Sequence, residues 1–247
     1  EYVSQSNLDA RQPVVVNCCN FPKAAPTLLG LDEVRTLFHE FGHALHGLLS
    51  NVTYTSLSGT NVKQDFVELP SQIMEHWAFE PEVLKDYAGH VETGAPIPDE
   101  LIQKLRAADT FNQGFATTEY LAASYLDLAW HEADETAEVA DVERRALTDI
   151  GLVPEVSPRY HSSYFQHIFA GESYSAGYYS YIWAEVLDAD GFEAFREKGL
   201  FDRETAAAFR SHVLERGGTG NPAELYRQFR GRDAEVGPLL RVRGLNN

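Results

Sequence analysis

The 247-residue sequence predicts a mainly α fold carrying a small β element. Three observations lead there. Apolar residues recur at helical spacing from Leu31 onward, Gly and Pro punctuate those stretches, and β-branched runs are confined to the start of the chain. With 44% hydrophobic and 12% aromatic residues the chain has the material for a real core.

Along the chain, Pro13-Val14-Val15-Val16-Asn17 is β-branched and bounded by Pro and Asn, and residues 53–57 alternate weakly, so each predicts a strand of a small sheet. The first helix follows a possible Asp32 cap, with Val34, Leu37, Phe38, Phe41, Leu45 and Leu48 on one face. A second helix is expected over 65–79, and further ones over 81–92, 99–133, 141–150, 178–189, 203–215 and 222–230. A softer joint lies at 134–158, where acids are dense and Pro154 and Pro158 bracket a turn. It is not a domain boundary, because candidate functional residues fall on both sides, and one domain is expected over 1–247.

Charge and cysteine usage narrow the function classes. With 37 Asp and Glu against 20 Lys and Arg the formal charge is −17, which opposes the phosphate contacts that dominate nucleic-acid affinity. No apolar stretch approaches the ~20 residues of a membrane span, and Glu1-Tyr2-Val3-Ser4 lacks the basic and apolar regions of a signal peptide. Neither nucleic acid nor membrane is expected as a partner. The cysteines, Cys18 and Cys19, are adjacent and offer no disulfide framework, which fits a reducing cytoplasm. Met74 is the sole methionine, so the chain reads as part of a longer open reading frame.

His39-Glu40-Phe41-Gly42-His43 matches H-E-x-x-H within the first helix. Four helical steps leave the two imidazoles roughly 40° apart in azimuth and about 6 Å in rise, within reach of one ion. Glu40 falls on the flank, where a carboxylate can take a proton from water without displacing a ligand. A catalytic zinc needs a third protein ligand. His46 lies on the same face but about 10 Å along the axis from His39, so it reads as a packing or supporting residue. A metzincin would carry Gly at 46 and His at 49, where this chain has His46 and Leu49. The third ligand is therefore expected from another helix. Glu68, Gln72 and Glu75 share one face of the second helix, and their spacing leaves Glu68 and Glu75 both open.

Phe38-His39-Glu40-Phe41-Gly42-His43-Ala44-Leu45-His46, Ser58-Gly59-Thr60, Asp65-Phe66-Val67-Glu68, Pro70-Ser71-Gln72 and Glu75 together resemble the thimet oligopeptidase family of zinc peptidases. The resemblance implies a zincin-like catalytic region, the C-terminal part of a two-lobed channel fold, with the largely helical N-terminal portion as its missing partner. It also implies one Zn2+ held by His39, His43 and Glu68, with Glu75 a supporting or solvated acid. The run from His167 through Gly171-Glu172-Ser173-Tyr174-Ser175-Ala176-Gly177-Tyr178-Tyr179-Ser180-Tyr181 looks like the family's Gly-rich substrate loop. Its matching positions imply catalytic roles for His167, Tyr174 and Tyr181 beside Glu40, and substrate contacts from Tyr178, Gly171 and Gly177, the glycines permitting loop closure. Ile182-Trp183-Ala184-Glu185-Val186-Leu187-Asp188-Ala189-Asp190 is closest to the peptidyl-dipeptidase branch, as are residues 13–17 and Asn20-Phe21-Pro22.

Arg35 and Gln64 depart from the thimet-type pattern, where Glu and Arg often stand; both lie away from the proposed ligands and bear on subfamily specificity. Arg159, Tyr160 and His161 precede the loop and are tempting partners for a substrate's terminal carboxylate, but they are not assigned. The implied activity is hydrolysis of short peptides with release of C-terminal dipeptides. An endo-acting oligopeptidase is the near alternative, and a non-catalytic peptide-binding helical fragment is the alternative of another class.

Overall fold

The computed structural model describes residues 1–134 and 136–245; the expected domain 1–247 and joint 134–158 also include Glu135, Asn246 or Asn247, which lie outside the described residues. The architecture is helical, in the order α1 (Leu31–Leu48), α2 (Leu69–Ala78), α3 (Pro81–Tyr87), α4 (Asp99–Asp109), α5 (Gln113–His131), α6 (Val139–Asp149), α7 (Gln166–Phe169), α8 (Ser180–Lys198), α9 (Arg203–Phe209), α10 (Pro222–Arg230) and α11 (Gly237–Val242). None of the described helices is long and apolar enough to cross a membrane.

The β element is smaller than expected. Among the described residues it consists of isolated antiparallel bridges, Val3 with Val14, Ser6 with Arg11 and Gly89 with Pro96. Residues 13–17 do not extend into a sheet: Val14 and Val16 are exposed, and beyond Val14 no neighbour completes a ladder among the described residues. The strand expected over 53–57 is instead a 3-10 turn, Thr55–Leu57, closed by Leu57 N–H to the Tyr54 carbonyl at 3.0 Å. Among the described residues this stretch joins no ladder: the Thr53 carbonyl accepts from the Leu8 N–H at 3.2 Å, and the turn pairs the backbone that follows.

Several helix boundaries differ from expectation, α2 starting at Leu69, α3 ending at Tyr87 and α8 running to Lys198, and two more move for clear local reasons. The apolar pattern over 99–133 is broken by Asn112, whose φ of 57° is left-handed, so α4 and α5 are separate helices. The first helix begins after Gly30 rather than Asp32, with the Glu33 carboxylate accepting the Gly30 N–H at 2.6 Å.

The main core joins α2, α8, α9 and α10 through Phe66, Leu69, Ile73, Leu187, Phe192, Phe195, Phe209, Tyr226 and Phe229. A second cluster joins α5, α6 and α7 through Tyr120, Leu126, Ala146, Phe165, Ile168 and Tyr178. Helix α8 belongs to the first cluster along its body and packs against the second at its start through Tyr181 and Ile182, where Gln72 of α2 donates to the Tyr181 carbonyl. Helices α1 and α2 meet at Gly42, where a β-carbon would sit 2.3 Å from the Pro70 carbonyl oxygen and 2.6 Å from the Ser71 Cα. Only a residue without a side chain permits that approach.

Candidate metal centre

Helix α1 presents His39 and His43 one turn apart, their rings 4.9 Å between centroids and nearly perpendicular. Both Nε2 atoms face one carboxylate oxygen, Glu68 Oε2, at 3.3 Å from His39 and 3.2 Å from His43. The three donor atoms lie within 4.8 Å of one another, a set of two imidazoles and one carboxylate that suits a divalent zinc ion. Glu68 is the residue capping α2 rather than part of its body. Ser71 Oγ, one turn on, lies 2.8 Å from Glu68 Oε2 and fixes that oxygen.

Glu75 occupies the outer side of the cluster, with Oε1 2.7 Å from His39 Nδ1. A carboxylate there sets the tautomer that leaves Nε2 free to ligate and raises the basicity of the ring. Burial alone would discharge His39, but hydrogen bonds with Glu68 and Glu75 outweigh it and push its pKa up to about 10. Burial likewise disfavours the Glu68 carboxylate, yet hydrogen bonds from His39, His43 and Ser71 hold it well below the usual range. These opposed shifts mark a position whose surroundings favour a positive charge. Glu75→Ala is expected to lower metal affinity 10- to 100-fold. Competition against a chromophoric chelator measures it, and an unchanged affinity would remove Glu75 from the centre.

His46 is fully buried, with both ring nitrogens unpartnered among the described residues. It is a packing residue, as expected, and joins no metal cluster among those residues. Burial, with the neighbouring His43 as a lesser cause, pushes its pKa from 6.5 down to about 4. The unfolded chain therefore takes up a proton in that interval before the folded one does, and stability present above pH 6.5 is lost as pH falls toward 4. At about 1.4 kcal/mol per pKa unit the loss is roughly 3 kcal/mol. Urea unfolding of metal-free protein at pH 7 and pH 4.5 should show a smaller acid loss in His46→Leu than in wild type; equal losses would contradict the assignment.

Glu40 lies on α1 directly after His39 and is partly buried. The residues of the expected substrate loop gather nearby. His167 on α7, Tyr174 on the turn Glu172–Tyr174, Tyr178, and Tyr181 on α8 form one aromatic group, with ring centroids 4.9, 5.5 and 5.7 Å from His167 to the three tyrosines in that order. The Tyr181 hydroxyl is 3.3 Å from His167 Nε2. Burial first, and then the Glu68 charge, push the Tyr181 pKa up to about 12, so its hydroxyl keeps its proton. The segment is tied to the metal side at two points: Gln72 Nε2 donates to the Tyr181 carbonyl at 3.3 Å, and the Tyr179 hydroxyl donates to Asp65 Oδ2 at 3.2 Å.

Three loop residues sit differently from the rest. Tyr178 is only 5% exposed, stacks on Tyr120, and donates its N–H to Asp127 Oδ2 at 2.8 Å. Burial pushes its hydroxyl pKa up. Gly171 has φ 171°, extended backbone open to any residue, and Gly177 is not among the glycines with positive φ. The left-handed position in the loop falls on Ala176, with φ 52°. The backbone freedom expected of the two glycines is therefore not what this conformation uses. Arg35 lies over the Phe79 ring, 4.9 Å from its centroid. Sequence reasoning missed Ser71, Gln72, Asp65 and Asp127 as supports. Ser71, three residues after Glu68, carried the one usable signal, since a hydroxyl at that spacing returns to the helix start.

Residues 1–245 match peptidase family M3. The chain belongs to that family. It is 48% identical over 99% of its length to the dipeptidyl carboxypeptidase of Escherichia coli (strain K12), of which it spans 37%. It is 40% identical over 95% of its length to oligopeptidase A of the same organism, spanning 35% of that protein. A thimet-like oligopeptidase of Dictyostelium discoideum is 34% identical over 96% of this chain, which spans 36% of it. The M3 chain thus covers little more than a third of these relatives, and the resemblance carried by its motifs is borne out at the level of the family.

Proposed function

We propose that this M3 region is the catalytic part of a zinc-dependent peptidase that hydrolyses short peptides and releases C-terminal dipeptides. The observation that carries the reading is the convergence of His39 Nε2, His43 Nε2 and Glu68 Oε2 within 4.8 Å, with Glu40 the residue directly after His39 on α1. Zinc held there supplies Lewis acidity, polarising the scissile carbonyl and acidifying water. Glu40 accepts the proton of the attacking water and delivers it to the leaving amine. Tyr181, kept protonated and hydrogen-bonded to His167, supplies a donor to the oxyanion, and half-exposed Tyr174 supplies a second from the loop. Tyr178 serves the substrate by shaping the loop, its buried ring anchoring the segment from which Tyr174 and Tyr181 project, while Gly171 and Gly177 contact the substrate through their backbone.

The dipeptide-releasing specificity is favoured over endo cleavage by the 48% identity to a dipeptidyl carboxypeptidase against 40% to an oligopeptidase A. The chain spans 37% and 35% of these two relatives, which leaves room for the further portion that the family resemblance places N-terminally as the other wall of the substrate channel. The cytoplasmic expectation rests on Cys18 and Cys19, both free thiols. The test is product analysis on N-blocked peptides of increasing length, with zinc content measured before and after chelation, in protein carrying the N-terminal portion. Sequential C-terminal dipeptides, lost on chelation and restored by zinc, are expected. Internal cuts would favour the oligopeptidase alternative, and absence of cleavage in zinc-loaded protein would favour peptide binding alone.

A further inference from the structure

Away from the metal centre, Ser157, His161 and Glu143 stand in line. Ser157 Oγ is 3.0 Å from His161 Nε2, and His161 Nδ1 is 2.6 Å from Glu143 Oε1. The other carboxylate oxygen accepts the Ser162 N–H at 2.9 Å and the Ser162 hydroxyl at 2.8 Å, while Trp130 Nε1 donates to that hydroxyl at 2.9 Å. Glu143 comes from α6 and Trp130 from α5, so the acid is held by two packed helices. Burial opposes its charge, but the Ser162 N–H and His161 outweigh this and hold its pKa below the usual range. Fastening the segment to α6 requires only Glu143 and Ser162. The further order of hydroxyl, imidazole and carboxylate is that of a nucleophile, its base and the group that orients the base.

Ser157 is exposed and open to a substrate. Immediately before it, Val153 and Val156 line an apolar cavity of about 460 Å3 shared with Phe115, Leu121 and Tyr125. We infer that Ser157, His161 and Glu143 form a second, metal-independent acyl-transfer site that hydrolyses small esters with an apolar acyl group. The residue after Ser157 is Pro158, which has no N–H to offer an oxyanion. That restricts the site to activated esters with good leaving groups, whose transition states lean least on such donors, and excludes amides.

The steps balance with water as co-reactant. Ser157 Oγ bonds to the acyl carbon while its proton passes to His161 Nε2. The ester C–O bond breaks and His161 returns the proton to the departing oxygen. Water then attacks the acyl-serine, gives its proton to His161, and the carboxylic acid leaves as Ser157 Oγ regains a proton.

The test uses the full chain, zinc-loaded and then treated with 1,10-phenanthroline, with p-nitrophenyl butyrate as substrate and a fluorophosphonate as covalent probe. Ester turnover is expected to survive chelation, and peptide mass mapping to place the phosphonate on Ser157. Ser157→Ala should lose the label and at least 10-fold of turnover, and His161→Ala should slow labelling by about 100-fold. Labelling elsewhere, no labelling of wild type, or turnover equal in Ser157→Ala and wild type would overturn the inference. A serine that merely braces the segment would change the melting temperature of its alanine variant and leave wild type unlabelled, which also overturns it. The readouts are independent of peptide cleavage, so the fate of the peptidase reading does not decide them.

Discussion

Glu40→Gln is expected to lower peptide turnover by about 10^3-fold while zinc still binds, since general acid–base groups of this kind contribute 10^2 to 10^4. The amide keeps the shape of the side chain on α1 but cannot accept a proton. His39, His43 and Glu68 are untouched, so the donor set within 4.8 Å stays whole. Metal analysis and initial-rate measurements on the same preparation, with the N-terminal portion present, check both halves. A variant that binds zinc and keeps a tenth or more of the wild-type rate would show that the proton is taken elsewhere. A variant that loses zinc would show that Glu40 belongs to the ligand set.

Gly42→Ala is expected to weaken both the fold and the metal centre. In an isolated helix this change is favourable by up to about 1 kcal/mol. Here the added carbon would lie 2.3 Å from the Pro70 carbonyl oxygen, in backbone that cannot swing aside like a side chain. Overpacking of this sort costs about 1–3 kcal/mol and moves the backbone that resists it. The backbone that must move begins α2, and Glu68 caps that helix. Metal affinity should therefore fall at least tenfold alongside the loss of stability, a coupling that a remote core substitution would not produce. Equilibrium urea unfolding with a chelator competition on the same variant tests it. A neutral or stabilised variant with unchanged affinity would mean that α1 and α2 do not meet at this point.

Much of the site was legible because its signals are local. The helical period from Val34 to Leu48 and the H-E-x-x-H spacing describe a single element, and α1 forms as they predict. The choice between Glu68 and Glu75 was not local. Both are acids on one face of the same segment, and what separates them is the approach of α1 to α2 at Gly42, which brings Glu68 to the Nε2 atoms and Glu75 to the Nδ1 of His39. Only the family resemblance pointed to Glu68. The aromatic run 178–181 was ambiguous for a related reason. Tyr178 turns into the core and Tyr181 toward His167, a difference fixed by Asp127 and Tyr120, far off in sequence. The break at Asn112 was hidden because one residue in left-handed backbone leaves the apolar pattern on either side intact. Residues 53–57 failed as a strand because sheet formation needs a neighbour, and a sequence window contains none.

The Tyr179 to Asp65 hydrogen bond has a thermodynamic consequence. It fastens the stretch that would grip a peptide to the stretch ending in Glu68. Occupancy of either ligand then biases the position of the other's anchor, and by linkage the bias is mutual and equal in size. A bound peptide should tighten the equilibrium binding of the ion, and depletion of the ion should weaken the affinity for the peptide by the same factor.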